Sequence, residues 1–205
     1  ILKALAPERE VLTVGVDFDV VKHGDWPDRP LVFCVGSDNP RNRLGLRDFL
    51  KFAWPEIRSA VPDARLAVAG SVGAAVPDYA QGVDVLGHID DLDPLYMKAR
   101  VVVNPTAAGT GLKIKTIEAL SRLRPIVTWP NGLEGLPPGI AELVPPAEDW
   151  FDFADRVITR LRNRTRAFDA ATAASIRHML SADQVYGELE TRLARFFDAH
   201  RFRQT

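Results

Sequence analysis

Residues 107–120 read AAGTGLKIKTIEAL and directly follow the apolar run RVVVNP at 100–105. Gly109 and Gly111 lack a Cβ, so a ligand can come close to their backbone. The amides of a helix beginning just after them would carry partial positive charge suited to phosphate. Lys113 and Lys115 add whole charges beside those dipoles. Cations at a helix start oppose its dipole, and an anion bound there would relieve the conflict. Glu118 comes about one turn after Lys115, where its carboxylate could accept hydrogen bonds from sugar hydroxyls. With Thr110 and Leu112 completing the loop, the constellation reads as phosphate plus sugar. The same residues also describe a solvated helix face behind glycines that merely turn the chain. Neither the GxGxxG dinucleotide fingerprint nor the GxxxxGKS/T phosphate loop is matched.

Other chemistries find less support. Asp91 and Asp93 spell DxD, which can hold a divalent metal, but they precede Pro94, where aspartate caps a helix start. His23, His88, His178 and His200 are scattered, so no metal site is expected. The GxSxG pattern of serine hydrolases is absent. The arginines of RLRNRTR at 160–166 read as a solvated helix end, with an anionic membrane surface as the secondary reading.

The elements that must position these residues follow from the apolar pattern. The 205 residues are 46% apolar and carry a formal charge of -1. That suffices for a sizeable core and gives no overall basic field for nucleic acid, so the expected partner is small. Cys34, the single cysteine, lies in the apolar run LVFCV and is expected in the core. A lone cysteine forms no intramolecular disulfide and fits a reducing compartment. With no signal peptide and no apolar span long enough to cross a bilayer, a soluble cytoplasmic domain is expected. Short β-branched runs alternate with helical patterns, the signature of an α/β parallel sheet with helices on both faces. Strands are expected at 11–16, 31–35, 65–70, 83–87, 100–105 and 125–129, with a further one at 142–145 (ELVP). Leu46, Leu50, Ala53 and Ile57 form an inward helical stripe that Pro55 kinks or shortens. After about residue 146 the pattern is helical only. Trp150, Ala154, Val157 and Leu161 form one stripe there, and Leu189, Leu193, Phe196 and Phe197 another. Ser181 and Gln184 match a capping box.

From about residue 31 to 136, six pieces occur in a telling order: VGSDNPRN, the helix ending FAWPEI, VPDARLAVAG, VLGHIDDLDPLYMKARVVVNP, GTGLKIKTIEAL and PIVTWPNGLEGL. Together they resemble the donor-binding C-terminal half of a group 1 (family 4) glycosyltransferase of the GT-B fold. The resemblance implies a Rossmann-like sheet that binds a nucleotide-diphosphate sugar, UDP- or GDP-linked, with no other cofactor and no metal. It implies retaining transfer to a sugar, lipid-linked or protein acceptor held by an N-terminal domain. Glu118 matches the second glutamate of the family's E-x7-E motif, which holds the ribose, and Lys113 or Lys115 would meet the diphosphate. Gly36, Ser37, Asn42 and Arg43 lie in the first loop, where the family contacts phosphate, or simply form a turn. His88 and Ile89 match the segment whose backbone contacts the base. Glu134 and Gly135 lie near the donor sugar, or again form a turn.

Two departures stand out. The position eight before Glu118 is Thr110, so the first glutamate of E-x7-E is missing, as in relatives with a GxGxKxK variant. Leu123 replaces the usual glycine before the PIV strand, giving up an easy left-handed cap. The chain begins at Ile1 without methionine, which suggests a piece of a longer protein. The expected division is 1–25 as a strand segment and linker from a missing domain, 26–180 as the nucleotide-sugar-binding domain and 181–205 as a C-terminal helix. A nucleotide-sugar epimerase of the same fold and a non-catalytic nucleotide-sensing domain are the alternatives.

Overall fold

The computed structural model describes residues 7–8, 11–12, 14–20, 26–109 and 111–201. Five apolar runs become strands: β1 Leu31–Val35, β2 Arg65–Ala69, β3 Val83–Gly87, β4 Val101–Asn104 and β5 Ile126–Thr128. They form one parallel sheet in the order β3-β2-β1-β4-β5. Among the described residues eight α-helices accompany them: α1 Pro40–Asp48, α2 Trp54–Ala60, α3 Asp93–Lys98, α4 Ile114–Ser121, α5 Pro138–Leu143, α6 Trp150–Arg162, α7 Ala170–Met179 and α8 Ala182–Arg201.

Both sheet faces are covered, which is why the strands read as continuous apolar runs. Successive side chains still point to opposite faces. Val32, Cys34, Leu66, Val68, Val101 and Val103 join one core with Leu46, Phe49, Trp54 and Ile57, and with Phe153, Val157 and Leu161 of α6. Phe33, Ala67, Ala69 and Val102 join the other with Tyr96, Ile117, Leu120, Ile140 and Ile176. Of the stripe read along α6, Ala154, Val157 and Leu161 are buried and Trp150 is half-buried against the same core.

Several local expectations are revised. Between α1 and α2 the backbone widens into a π-helical turn, Phe49–Ala53, where the Trp54 N–H donates to the Phe49 carbonyl. Pro55 has no N–H to donate and its ring crowds the preceding turn, so the helix adjusts instead of bending sharply. ELVP is not a strand: Pro137 and Pro138 open α5, which runs through Leu143, because proline is pre-organised for a first helical turn. At 11–16 the described positions form no strand, and Thr13 lies outside the described residues. The start of α8 shows half a capping box, with the Gln184 N–H 3.4 Å from Ser181 Oγ. The apolar stripe farther along α8 faces outward, with Leu193, Phe196 and Phe197 exposed. Leu123 does adopt the left-handed conformation (φ 53°) that its place after α4 demands. Among the described residues no helix is long and apolar enough to cross a membrane.

Candidate functional site

The chain leaves β1 for β2 on one side, while β4 pairs with β1 on the other. In an open α/β sheet, ligands bind above the carboxyl ends of the strands at such a reversal. Two clefts lie there and share Thr106, Ala108 and Gly109 as a common wall. One is completed by Asn39, Arg41 and Asn42 at the start of α1. The other is completed by Asn104, Lys113, Lys115 and Asn131.

The first loop is built to hold Asn42. Asn39 caps α1, its side chain accepting the Asn42 N–H at 2.9 Å, and Pro40 follows in the first turn. The Asp38 N–H donates to Ser71 Oγ at 2.8 Å, which ties the loop to the connection after β2. Asn42 Nδ2 donates to the Ser37 carbonyl at 2.9 Å, leaving its amide oxygen facing the cleft residues. That oxygen accepts Thr106 Oγ1 at 3.0 Å and Lys115 Nζ at 3.0 Å. A Cβ on Gly36 would crowd Asn42 Nδ2 at 3.2 Å, so glycine gives the asparagine its room, with Lys115 Nζ close by at 3.5 Å.

Lys115 is the electrostatic centre of the site. Its other acceptor is Asn104 Oδ1 at 3.5 Å, at the end of β4. Both partners are neutral amides, and among the described residues no ion pair involves Lys115. Burial lowers its pKa from 10.5, with Cys34 and Glu118 pulling the other way. The Cys34 thiol is itself pushed up to about 11 by burial and stays protonated. The result is an ammonium group held at a cleft with no carboxylate in contact, Glu118 acting on it only at longer range.

Lys113 is arranged differently. Because α4 begins at Ile114, Lys113 is the residue before the helix and only Lys115 lies in its first turn. Lys113 Nζ donates to the Gly109 carbonyl at 3.1 Å and lies 3.7 Å from Glu134 Oε2. Asn131 Nδ2 donates to the same carbonyl at 3.0 Å and to the same carboxylate at 2.8 Å. Gly111, exposed at φ 95°, and Leu112 form the outer rim, while Thr110 lies outside the described residues.

Glu118 is half-buried one turn beyond Lys115, and its Oε2 accepts the Tyr96 hydroxyl at 3.0 Å. It does not line either cleft directly. Arg43 pairs with Asp38 at 3.0 Å at the margin of the first loop. His88 stands on the edge strand's carboxyl end, its side chain 88% exposed and 3.2 Å from Asp90, while Ile89 packs on the core. Gly36, Ser37, Asn42 and Lys115 thus form one group in contact and Gly109, Lys113 and Glu134 another, the two meeting where Gly109, Lys113 and Lys115 line the same cleft, whereas His88 and Ile89 stand apart at β3. Asn104, Thr106, Asn131 and Tyr96 escaped the sequence reading. An asparagine closing a buried strand (VVVNP) and one opening a turn (PNGLEG) were the available signals. Asp93 serves Arg122, Nε to Oδ1 at 2.8 Å, and among the described residues no cluster could hold a metal ion.

The family model described as Glycosyl transferases group 1 matches residues 29–163. No curated protein matches the chain in sequence. Among solved structures, a TarM mutant of S. aureus in complex with fondaparinux, alpha-GlcNAc-glycerol and UDP is 15% identical, with a TM-score of 0.63. That match covers 92% of this chain but 41% of the TarM chain, so the chain spans less than half its length. HepE of Anabaena, in complex with UDP and glucose, is 14% identical with a TM-score of 0.61, over 82% of this chain and 49% of that one. The C-terminal domain of LpcC, a glycosyl transferase group 1 family protein from Francisella tularensis, is 16% identical with a TM-score of 0.55 and covers 80% of this chain and 96% of that one. These structures share the fold, and the family match spans well over half of the sequence: the chain belongs to the group 1 glycosyl transferases.

Proposed function

We propose that the crevice above β1 and β4 binds a nucleotide-diphosphate sugar, UDP- or GDP-linked, as the donor site of a retaining hexosyltransferase whose acceptor sits on a further domain. The observation that carries this reading is Lys115, a half-buried ammonium whose acceptors are the neutral oxygens of Asn42 and Asn104. A diphosphate there would supply the missing negative charge and raise the lysine's lowered pKa. The complexes of TarM and HepE contain UDP, which supports a nucleoside diphosphate as the ligand class.

In such a reaction negative charge grows on the leaving diphosphate as the glycosidic bond breaks. Lys115, the amides at the start of α4 and Lys113 would stabilise that charge in a site already organised around it. Lys113 would exchange Glu134 for phosphate, freeing the Glu134 carboxylate toward the donor sugar. Glu118 has one oxygen committed to Tyr96 and would accept ribose hydroxyls with the other. Transfer needs an acceptor site, so these 205 residues should bind donor and turn over little.

Calorimetry with UDP, GDP and ADP tests the reading. A preferred nucleotide should emerge, and Lys115→Ala should weaken it about 10- to 100-fold, the loss expected of a charge-assisted hydrogen bond worth about 1.5–3 kcal/mol. Equal binding by parent and variant would move the site elsewhere. Thr110, where the resemblance places a first glutamate, keeps a non-catalytic donor-sensing role in view. Donor binding without turnover in a longer protein carrying the acceptor domain would favour that second role.

A further inference from the structure

Helices α3 and α4 are joined by two polar rungs. On one, Arg122 Nε donates to Asp93 Oδ1 at 2.8 Å. On the other, three residues along α3 and four back along α4, the Tyr96 hydroxyl donates to Glu118 Oε2 at 3.0 Å. The two rungs are themselves linked, since the Arg122 guanidinium lies over the Tyr96 ring, 5.0 Å from its centroid. Tyr96 is fully buried, with its ring edge-on to Phe33 of β1 at 4.9 Å and 84°. The ring therefore cannot follow Glu118 if the carboxylate moves, and the hydroxyl is a fixed donor. Burial, then the nearby Glu118 carboxylate, raises the phenol's pKa, so it remains a donor throughout the physiological range.

A carboxylate has two oxygens and room for about four hydrogen bonds. A donor on Oε2 fixes the side-chain rotamer and leaves Oε1 with no hydrogen-bond partner among the described residues. Glu118 lies one turn after Lys115 on α4, and the two charges interact. We propose that Tyr96 is a positioning residue: it holds Glu118 as a one-sided acceptor and so sets the site's preference for ligands bearing vicinal ribose hydroxyls. The proposal rests on the donor-site reading above. It adds a residue outside both clefts that decides selectivity without touching the ligand.

The experiment compares binding of the preferred nucleoside diphosphate, UDP or GDP, with that of its 2′,3′-dideoxy analogue. The unaltered chain should prefer the ribonucleotide by about 10-fold or more, since a carboxylate without its hydroxyl partner loses a charged hydrogen bond. Tyr96→Phe keeps the ring and removes one oxygen. It should bring the preference to within about threefold by weakening the ribonucleotide alone, with the dideoxy affinity unchanged. Phe33→Leu, which removes the edge-on aromatic contact but leaves the Tyr96 ring buried and its hydroxyl in place, should retain the preference. A purely structural role for Tyr96 would lower both affinities together, and that result would overturn the proposal. So would an undiminished preference in Tyr96→Phe, its complete loss in Phe33→Leu, or its absence from the unaltered chain while Lys115→Ala still weakens binding. If the unaltered chain binds neither nucleotide, or Lys115→Ala binds as tightly as the parent, the donor-site reading fails and this proposal falls with it.

Discussion

The two ends of the parallel sheet both gather cations, yet they use them in opposite ways. At the amino end a cleft lined by Pro27, Arg29, Arg65, Asp84 and Lys98 is roomier than either cleft at the carboxyl end. There Arg65 pairs with Asp84. Arg100, buried nearby, donates to the carbonyls of Pro27 at 2.8 Å, Leu161 at 2.5 Å and Asp28, fastening the entry segment to the end of α6. At the carboxyl end Lys115 meets only amide oxygens and faces a cleft. Size does not identify the site. What separates the two ends is that Arg65 and Arg100 have their donors taken up by the protein, whereas Lys115 keeps its ammonium at a cleft with two amide contacts.

Substitutions at each end sharpen the contrast. Arg100→Ala leaves three carbonyls without their donor and should cost about 2–4 kcal/mol of stability in urea denaturation, with nucleotide affinity of the folded protein unchanged. A loss of affinity without a loss of stability would reverse the roles assigned to the two ends. Asn42→Ala leaves Lys115 with the single long contact to Asn104 and should weaken nucleotide binding about 3- to 10-fold, whereas Arg65→Ala should change it less than about twofold. Leu123→Gly should have the smallest effect. Glycine relieves a left-handed strain of roughly 1–2 kcal/mol but gives up the burial of a leucine, about 1.5–3 kcal/mol, so a net destabilisation near 1 kcal/mol is expected from thermal melting.

The sheet was legible because buried parallel strands leave unbroken apolar runs, and LVFCV, RLAVA and VVVN stand where such runs predict. ELVP misled for the same reason: four residues of mixed polarity carry no period, and the two prolines before it decide for helix. Lys113, Lys115 and Glu118 were found from their own chemistry and spacing. Asn42 was named through the resemblance, but Asn104, Asn131 and Tyr96 were not, because they meet these residues only after strands distant in sequence are paired. The distinction between the two lysines was equally hidden, since it depends on Glu134 reaching one and not the other.

Lys115's ammonium offers the most direct test. Its pKa is lowered by burial, so between that value and 10.5 the unfolded chain holds the proton that the folded chain has released. Stability should therefore rise with pH across that window, and Lys115→Met should flatten the rise. The decisive measurement is an NMR titration of the Lys115 side chain with and without a nucleoside diphosphate. A depressed pKa that climbs on binding is the expected result, and a pKa that nucleotide leaves unmoved would contradict the account.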